Sequence, residues 1–142
     1  MYNEFDMILK GSESDDDTTL NEWFEYEIIN AATELEKFEQ NDWDKLLEEL
    51  PKKSIHWKRR LSECLEDNIG NNQLKVLIEL AKDDDVNLLC NVFSQMCDYE
   101  LSDFDNKDIE WIIPKIKKYY SQVPAPFQEN FDFFLNKESK VR

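Results

Sequence analysis

The sequence predicts an all-α protein of about seven helices. Three observations lead there. Only two glycines, Gly11 and Gly70, punctuate 142 residues; strict apolar/polar alternation is almost absent; and apolar side chains recur at three- and four-residue steps through most of the chain. A hydrophobic content of 41% with 13% aromatics supplies a core, although 35% of residues are charged and the mean hydropathy is -0.70. At this length one domain over residues 1–142 is expected. A flexible acidic lead-in is expected over about residues 1–17, because Lys10-Gly11-Ser12-Glu13-Ser14-Asp15-Asp16-Asp17 is polar, small and like-charged. Phe5, Met7, Ile8 and Leu9 precede that run, and the sequence leaves open whether they dock on the body.

The first predicted helix opens at Thr19-Leu20-Asn21-Glu22, a capping-box pattern in which threonine and glutamate side chains satisfy orphan amides reciprocally. Leu20, Trp23, Phe24, Ile28, Ala31, Leu35 and Phe38 form its apolar stripe, and Glu22, Glu25 and Glu36 its other face. A second helix starts after Asn41 as N-cap, carries Trp43, Leu46, Leu47 and Leu50 inward, and stops before Pro51. Asp42 and Asp44 in its first turn suit the helix dipole. Ser54 caps a third helix with Trp57, Leu61, Cys64 and Leu65 inward, closed by a loop over residues 67–72 that contains Gly70.

The fourth helix uses Leu74, Leu77, Ile78 and Ala81. Asp83-Asp84-Asp85 then turns the chain into a fifth with Leu88, Leu89, Val92, Phe93 and Met96, a tight αα-hairpin. A longer acidic connection follows over residues 98–106. Ile109, Ile112, Ile113, Ile116 and Tyr120 continue at helical spacing, and Pro114 predicts a kink or a fresh start near Ile113. Pro126 at a first helical position begins a last helix using Phe127, Phe131, Phe134 and Leu135. The starts near residues 19, 42, 54, 73, 85, 107 and 126 fit an irregular bundle or a short stack of HEAT-like antiparallel helix pairs.

Charge is distributed unevenly. The first fifty residues hold sixteen Asp and Glu against three Lys, and the remaining ninety-two hold sixteen against fourteen, out of a net charge of -15. Such a surface repels phosphate and anionic lipid and attracts cationic macromolecules at rates that salt suppresses. Direct nucleic-acid binding is therefore disfavoured. The cluster Lys52, Lys53, Lys58, Arg59 and Arg60 lies close in sequence to acids and is expected to pair with them internally. Lys115, Lys117 and Lys118 read as a complement to the end of their own helix.

Catalytic and ligand-binding patterns are weak throughout. The single histidine, His56, has no orienting partner at a useful spacing, and the aspartate runs lack the alternating ligands and loop glycine of a calcium site. No His/His or Cys/His pair stands at zinc-ligand spacing, and two glycines cannot build a phosphate-binding loop. Cys64, Cys90 and Cys97 are an odd set without a C-x-x-C pair and fall at apolar-periodic positions, so buried free thiols are expected. The sequence thus leads to a non-enzyme with no cofactor and no metal. The run Met1-Tyr2-Asn3-Glu4-Phe5-Asp6 has no basic region followed by a long apolar stretch, so neither secretion nor a membrane span is expected, and the location is expected to be cytoplasmic.

The pattern Asn41-Asp42-Trp43-x-x-Leu46-Leu47-x-x-Leu50-Pro51, then Trp57-Lys58-x-Arg60-Leu61-x-x-Cys64-Leu65, then Leu77-x-x-Leu80-Ala81 and Asp84-x-x-x-Leu88, covers roughly residues 41–98. It resembles small helical immunity proteins of bacterial contact-dependent growth inhibition and related polymorphic toxin systems. The resemblance implies a cytoplasmic toxin inhibitor that forms a heterodimeric toxin–immunity complex with one cognate domain, often a nuclease, and covers its active site or nucleic-acid surface. A basic nuclease suits an acidic inhibitor on physical grounds as well, since the inhibitor competes for the surface that holds nucleic acid.

The expected partner-binding residues lie on the acidic connections. If the helices stack as antiparallel pairs, the connections near residues 39–42, at Asp67 and over residues 98–105 emerge on one edge, opposite the turn at residues 83–85. Asp98, Glu100, Asp103 and Asp105 are the expected charges there. Tyr99 and Phe104 are aromatics outside any helical stripe, and either serve as anchors or pack beneath their own loop. Glu22 and Glu25, with Glu36, form a second candidate face. An acidic helical adaptor or chaperone for a basic protein or peptide is the alternative function.

Overall fold

The computed structural model describes residues 1–11, 26–66 and 69–123, together with 125, 128, 129, 131, 132 and 135. Among the described residues there are seven α-helices and no strand: α1 (Tyr2–Gly11), α2 (Ile28–Glu36), α3 (Gln40–Glu49), α4 (Ile55–Cys64), α5 (Asn71–Leu80), α6 (Val86–Met96) and α7 (Asn106–Tyr119). The class is all-α, as the spacing of apolar residues predicts. The chain divides into two compact units, Met1–Asn68 and Ile69–Arg142.

The first unit is organised around a helix that the sequence assigns to a lead-in. Tyr2, Phe5 and Leu9 stand at three- and four-residue steps, so winding residues 2–11 into α1 puts all three on one face, and all three are buried. The lead-in expected over about residues 1–17 is thus, for its first eleven residues, a packed element; residues 12–17 lie outside the described residues. α1 packs against each of α2, α3 and α4. That central position is an irregular arrangement and not a stack of sequential pairs. Phe5 meets Phe38 edge-on at 5.5 Å and Trp57 at 6.2 Å, while Phe38 meets Trp43 at 5.1 Å. Edge-to-face contacts of this kind add about 0.5–1.5 kcal/mol each beyond the area they bury.

A single carboxylate ties α1 to α4. Asp6 Oδ1 accepts from Lys53 Nζ at 2.9 Å and from Trp57 Nε1 at 3.0 Å, and its Oδ2 lies 3.3 Å from Lys10 Nζ. Lys53 Nζ also stands 5.2 Å from the centre of the Trp57 ring, a cation–π contact. Asp6 and Lys53 are each only 14% exposed at the side chain, so this pair is worth more than a surface ion pair. Burial works against the charge on Asp6, but the hydrogen bonds from Lys53 and Lys10 outweigh it and hold the carboxyl below its ordinary range. Internal pairing of the basic cluster extends to Lys52 with Glu49 and Arg60 with Glu63.

The helix ends are set by side chains. α3 is capped two residues earlier than expected: Glu39, not Asn41, is the N-cap, and Asp42 Oδ2 accepts from the Glu39 amide at 3.0 Å in a capping box. Ser54 caps α4 as expected, its Oγ accepting from Trp57 N at 3.2 Å. The predicted cap at Thr19, with Leu20, Trp23 and Phe24, lies outside the described residues.

In the second unit α6 is buried nearly all round, through Leu88, Leu89, Cys90, Val92, Phe93, Gln95 and Met96, and so forms the axis of that unit. It pairs with α5 across the expected hairpin, where Asp85 Oδ2 accepts from Leu88 N at 2.9 Å. α7 buries Ile109, Ile112, Ile113, Ile116 and Tyr119; its stripe ends on Tyr119, with Tyr120 only half-buried. Of the kink or fresh start expected near Ile113, the fresh start does not occur, since α7 runs unbroken through Pro114. Pro114 and Glu110 are both exposed, so the backbone bond that proline cannot donate is missing on the solvent side of the helix. Of the last predicted helix, Phe131 is buried with its ring edge-on to Phe93 at 5.6 Å, and Leu135 is half-buried. Pro126, Phe127 and Phe134 lie outside the described residues.

Lys115 does not complement its own helix end. Its Nζ donates to the carbonyls of Ala81 at 2.7 Å and Asp83 at 2.6 Å, and lies 3.3 Å from Asp84 Oδ1. These carbonyls belong to the C-terminal end of α5, where the helix leaves acceptors unsatisfied and the dipole favours a cation.

Two outcomes follow from these contacts. Asp6→Asn should lower stability at pH 7 by about 2–4 kcal/mol, since Lys53 loses its counter-charge in a nearly buried site. The Asp6 carboxyl is depressed on folding, so its contribution is complete above the unfolded carboxyl value and disappears as pH falls through the lower folded value. Urea unfolding at pH 7 and at pH 3 should accordingly show the gap between wild type and variant narrowing in acid. Lys115→Met should cost about 1–3 kcal/mol and speed amide exchange in the last turn of α5, read by hydrogen-exchange mass spectrometry.

Candidate acidic docking site

The connection between α6 and α7 returns the chain to the start of α5. Tyr99 defines that geometry: its hydroxyl accepts from Gly70 N at 3.2 Å and donates to Gly70 O at 3.3 Å. Gly70 is the residue before α5, so the connection sits at the N-terminal end of α5, while Lys115 holds α7 against the opposite end at residues 81–83. Within this unit, the acidic connection and the turn at residues 83–85 are therefore at opposite ends of the helices.

The connection is short and regular. Leu101–Asp103 forms one 3-10 turn, closed by a reciprocal capping box in which Asp103 Oδ2 accepts from Glu100 N at 3.0 Å and the Glu100 side chain accepts from the Asp103 amide. Asp98, Glu100, Asp103 and Asp105 are all exposed. Their backbone is fixed from below, since Tyr99 is only 6% and Phe104 only 5% exposed. Of the two roles the sequence leaves open for these aromatics, anchoring a partner or packing beneath their own loop, their burial matches the second: they lie under the loop that carries the exposed acids. Burial also pushes the Tyr99 phenol above its ordinary range, in spite of its bond to Gly70.

Ile69 is the apolar component that sequence reasoning missed. It is 64% exposed and precedes the glycine that Tyr99 grips, so an isoleucine and four carboxylates share one end of the unit. The available signal was a lone β-branched residue set between Asn68 and Gly70 in a polar loop. Trp111 was missed too. It stands off the α7 stripe, half-exposed, with its Nε1 donating to Asp108 Oδ1 at 3.1 Å. Large amphipathic rings in such settings are frequent anchors of protein interfaces.

Of the remaining expected site residues, Glu22, Glu25 and Asp67 lie outside the described residues, and Glu36 is exposed on α2. The thiols are placed as core groups: Cys64 and Cys90 are buried, and Cys97 is half-buried with Sγ donating to Phe93 O at 3.2 Å. Burial, with Glu63 beside it, pushes the Cys64 thiol up and away from the reactive thiolate. Among the described residues no group of three or more His, Cys, Asp or Glu is placed to hold a metal ion, and no helix is long and apolar enough to cross a membrane. The arrangement at residues 98–105 suits the electrostatic capture of cationic groups beside a small apolar contact.

Tyr99→Phe removes both hydrogen bonds to Gly70. It should cost about 1–2 kcal/mol and accelerate exchange of the Gly70 amide while leaving the helical content unchanged; amide-exchange NMR reads this directly. No family model, curated protein or solved structure matches the chain.

Proposed function

We propose that the protein is an immunity protein: it binds a cognate basic nuclease toxin domain in the bacterial cytoplasm and neutralises it by covering the active site or the nucleic-acid surface. The observation that carries this reading is the end of the second unit, where exposed Asp98, Glu100, Asp103 and Asp105 surround a connection pinned by Tyr99, with Ile69 exposed alongside. A nuclease must present Lys and Arg to hold phosphates. A rigid loop of carboxylates meets the same cations and, being preorganised, spends little ordering entropy on binding. The net charge of -15 steers the encounter and raises the on-rate at low salt. The sequence resemblance over residues 41–98 supports the same reading.

The test starts from co-purification of the protein with a co-encoded polypeptide, followed by assay of that polypeptide on RNA and DNA with and without the protein. Stoichiometric loss of nuclease activity is the expected result. A basic partner that is bound but keeps its activity, or has none, would instead favour the adaptor or chaperone reading. Charge reversal identifies the surface, and the positions matter. Glu100 and Asp103 cap their own turn, so reversing them disturbs the loop, whereas Asp98 is outside that capping box and Asp105, the N-cap residue of α7, makes no side-chain capping bond. Asp98→Lys with Asp105→Lys should slow association by about tenfold at 50 mM salt and by much less at 500 mM. Stopped-flow rates that do not change at low salt would remove this end of the molecule from the interface.

A further inference from the structure

We propose that Asp108 and Trp111, in the first two turns of α7, form a socket for one cationic side chain of a partner protein. The inference deepens the reading above by naming a group that this part of the surface grips, and it rests on that reading only for the identity of the partner. The pattern for it lies within the protein. In the first unit Asp6 Oδ1 accepts from Trp57 Nε1 at 3.0 Å and from Lys53 Nζ at 2.9 Å, and that ammonium stands 5.2 Å from the centre of the Trp57 ring. A carboxylate bonded to an indole N–H thus offers a cation two attractions at once, a charged acceptor and an electron-rich ring face.

The second unit contains the same pair without the cation. Asp108 Oδ1 accepts from Trp111 Nε1 at 3.1 Å. Their i, i+3 spacing sets both side chains on one side of α7, and each is half-buried, within reach of a group from outside. An ionised carboxyl accepts at about four positions, yet among the described residues the bond to Trp111 is the only hydrogen bond or ion pair of the Asp108 side chain. The neighbouring lysines are engaged elsewhere or stand apart. Lys115 donates to the carbonyls of Ala81 and Asp83, Lys118 stands 5.2 Å from the centre of the Tyr119 ring, and exposed Lys107 makes no ion pair with Asp108. The missing component is therefore a lysine or arginine side chain from outside. Arginine suits the pair especially well, because its planar guanidinium stacks on an aromatic face while its N–H groups reach a carboxylate. Exposed Asp105, three residues earlier, adds charge of the same sign at this end of α7.

The experiment uses the full chain with an alternating Arg/Ala hexapeptide and its citrulline counterpart, which keeps the side-chain shape and lacks the charge. In isotope-edited NMR the arginine peptide should move the Trp111 indole N–H resonance, assigned with Trp111→Phe, to a saturating limit. The Trp57 indole is the internal reference: its carboxylate and ring already hold Lys53, so its resonance should stay in place. Asp108→Asn keeps an acceptor for the indole and removes the charge; it should leave the unfolding curve of the wild type unchanged and weaken peptide binding about fivefold or more. Glu110→Gln, the same change of charge at an exposed position of the same helix, should weaken binding by less than about twofold. A Trp111 indole that does not respond, equal binding of the citrulline peptide, or equal losses in the two variants would overturn the proposal. Spermidine moving the same resonance as strongly at equal concentration would also overturn it, by assigning the socket to a free polyamine. Because the peptide stands in for no particular toxin, the socket can fail while nuclease inhibition holds, and nuclease inhibition can fail while the socket holds.

Discussion

The carboxylate of Asp6 is the point on which the first unit turns. It lies on α1, and its two strong partners, Lys53 and the Trp57 indole, lie at the start of α4 and just ahead of it. Placing a charge in a nearly buried site is costly unless its hydrogen-bonding capacity is filled. Here three donors surround it, and the Lys53 ammonium adds a contact with the Trp57 ring. The aromatic cluster of Phe5, Phe38, Trp43 and Trp57 is then assembled around a fixed register between α1 and its neighbours. Apolar contacts alone would tolerate sliding of one helix along another; a bidentate acceptor tolerates much less.

The second unit obeys the same rule at its two ends. Helix ends leave backbone groups without partners, and each end of α5 is satisfied from a distance: Lys115 supplies a cation to the carbonyls at residues 81 and 83, and Tyr99 exchanges two bonds with Gly70. The consequence for function is positional. Because Tyr99 and Phe104 are occupied inward, the carboxylates of the connection between them have to point outward, and the loop presents charge without the freedom of a long connection. Rigid, exposed, like-signed groups mutually repel. Approaching cations relieve such repulsion, which is the physical basis of the docking proposed for this loop.

Much of this architecture is legible in the chain itself. Leu74, Leu77, Leu88, Val92, Phe93, Ile109, Ile112 and Ile116 all occupy the core that their spacing predicts, and Ser54 caps the helix it was expected to cap. The departures have identifiable causes. α1 was hidden because three buried residues in ten, followed by an acidic run, give too little periodic signal to set against composition. Glu39 was missed as a cap because the sequence also offers Asn41 two positions later, and only the reach of Asp42 decides between them. Tyr99 and Phe104 fall off every helical stripe, so periodicity could not say whether they face inward or outward.

What the sequence by itself determined is the helical class, most of the core and the sign of the surface. These depend on local spacing and on a simple count of charges, and neither requires knowing which elements meet. Tertiary structure alone decided that Asp6 joins α1 to α4, that Lys115 caps the end of α5, 34 residues upstream at Ala81, and not its own helix, and that the acidic connection is held from beneath by its aromatics. Each is a pairing between residues far apart in the chain, where hydrogen-bond geometry and burial select one partner among many of the same chemical type.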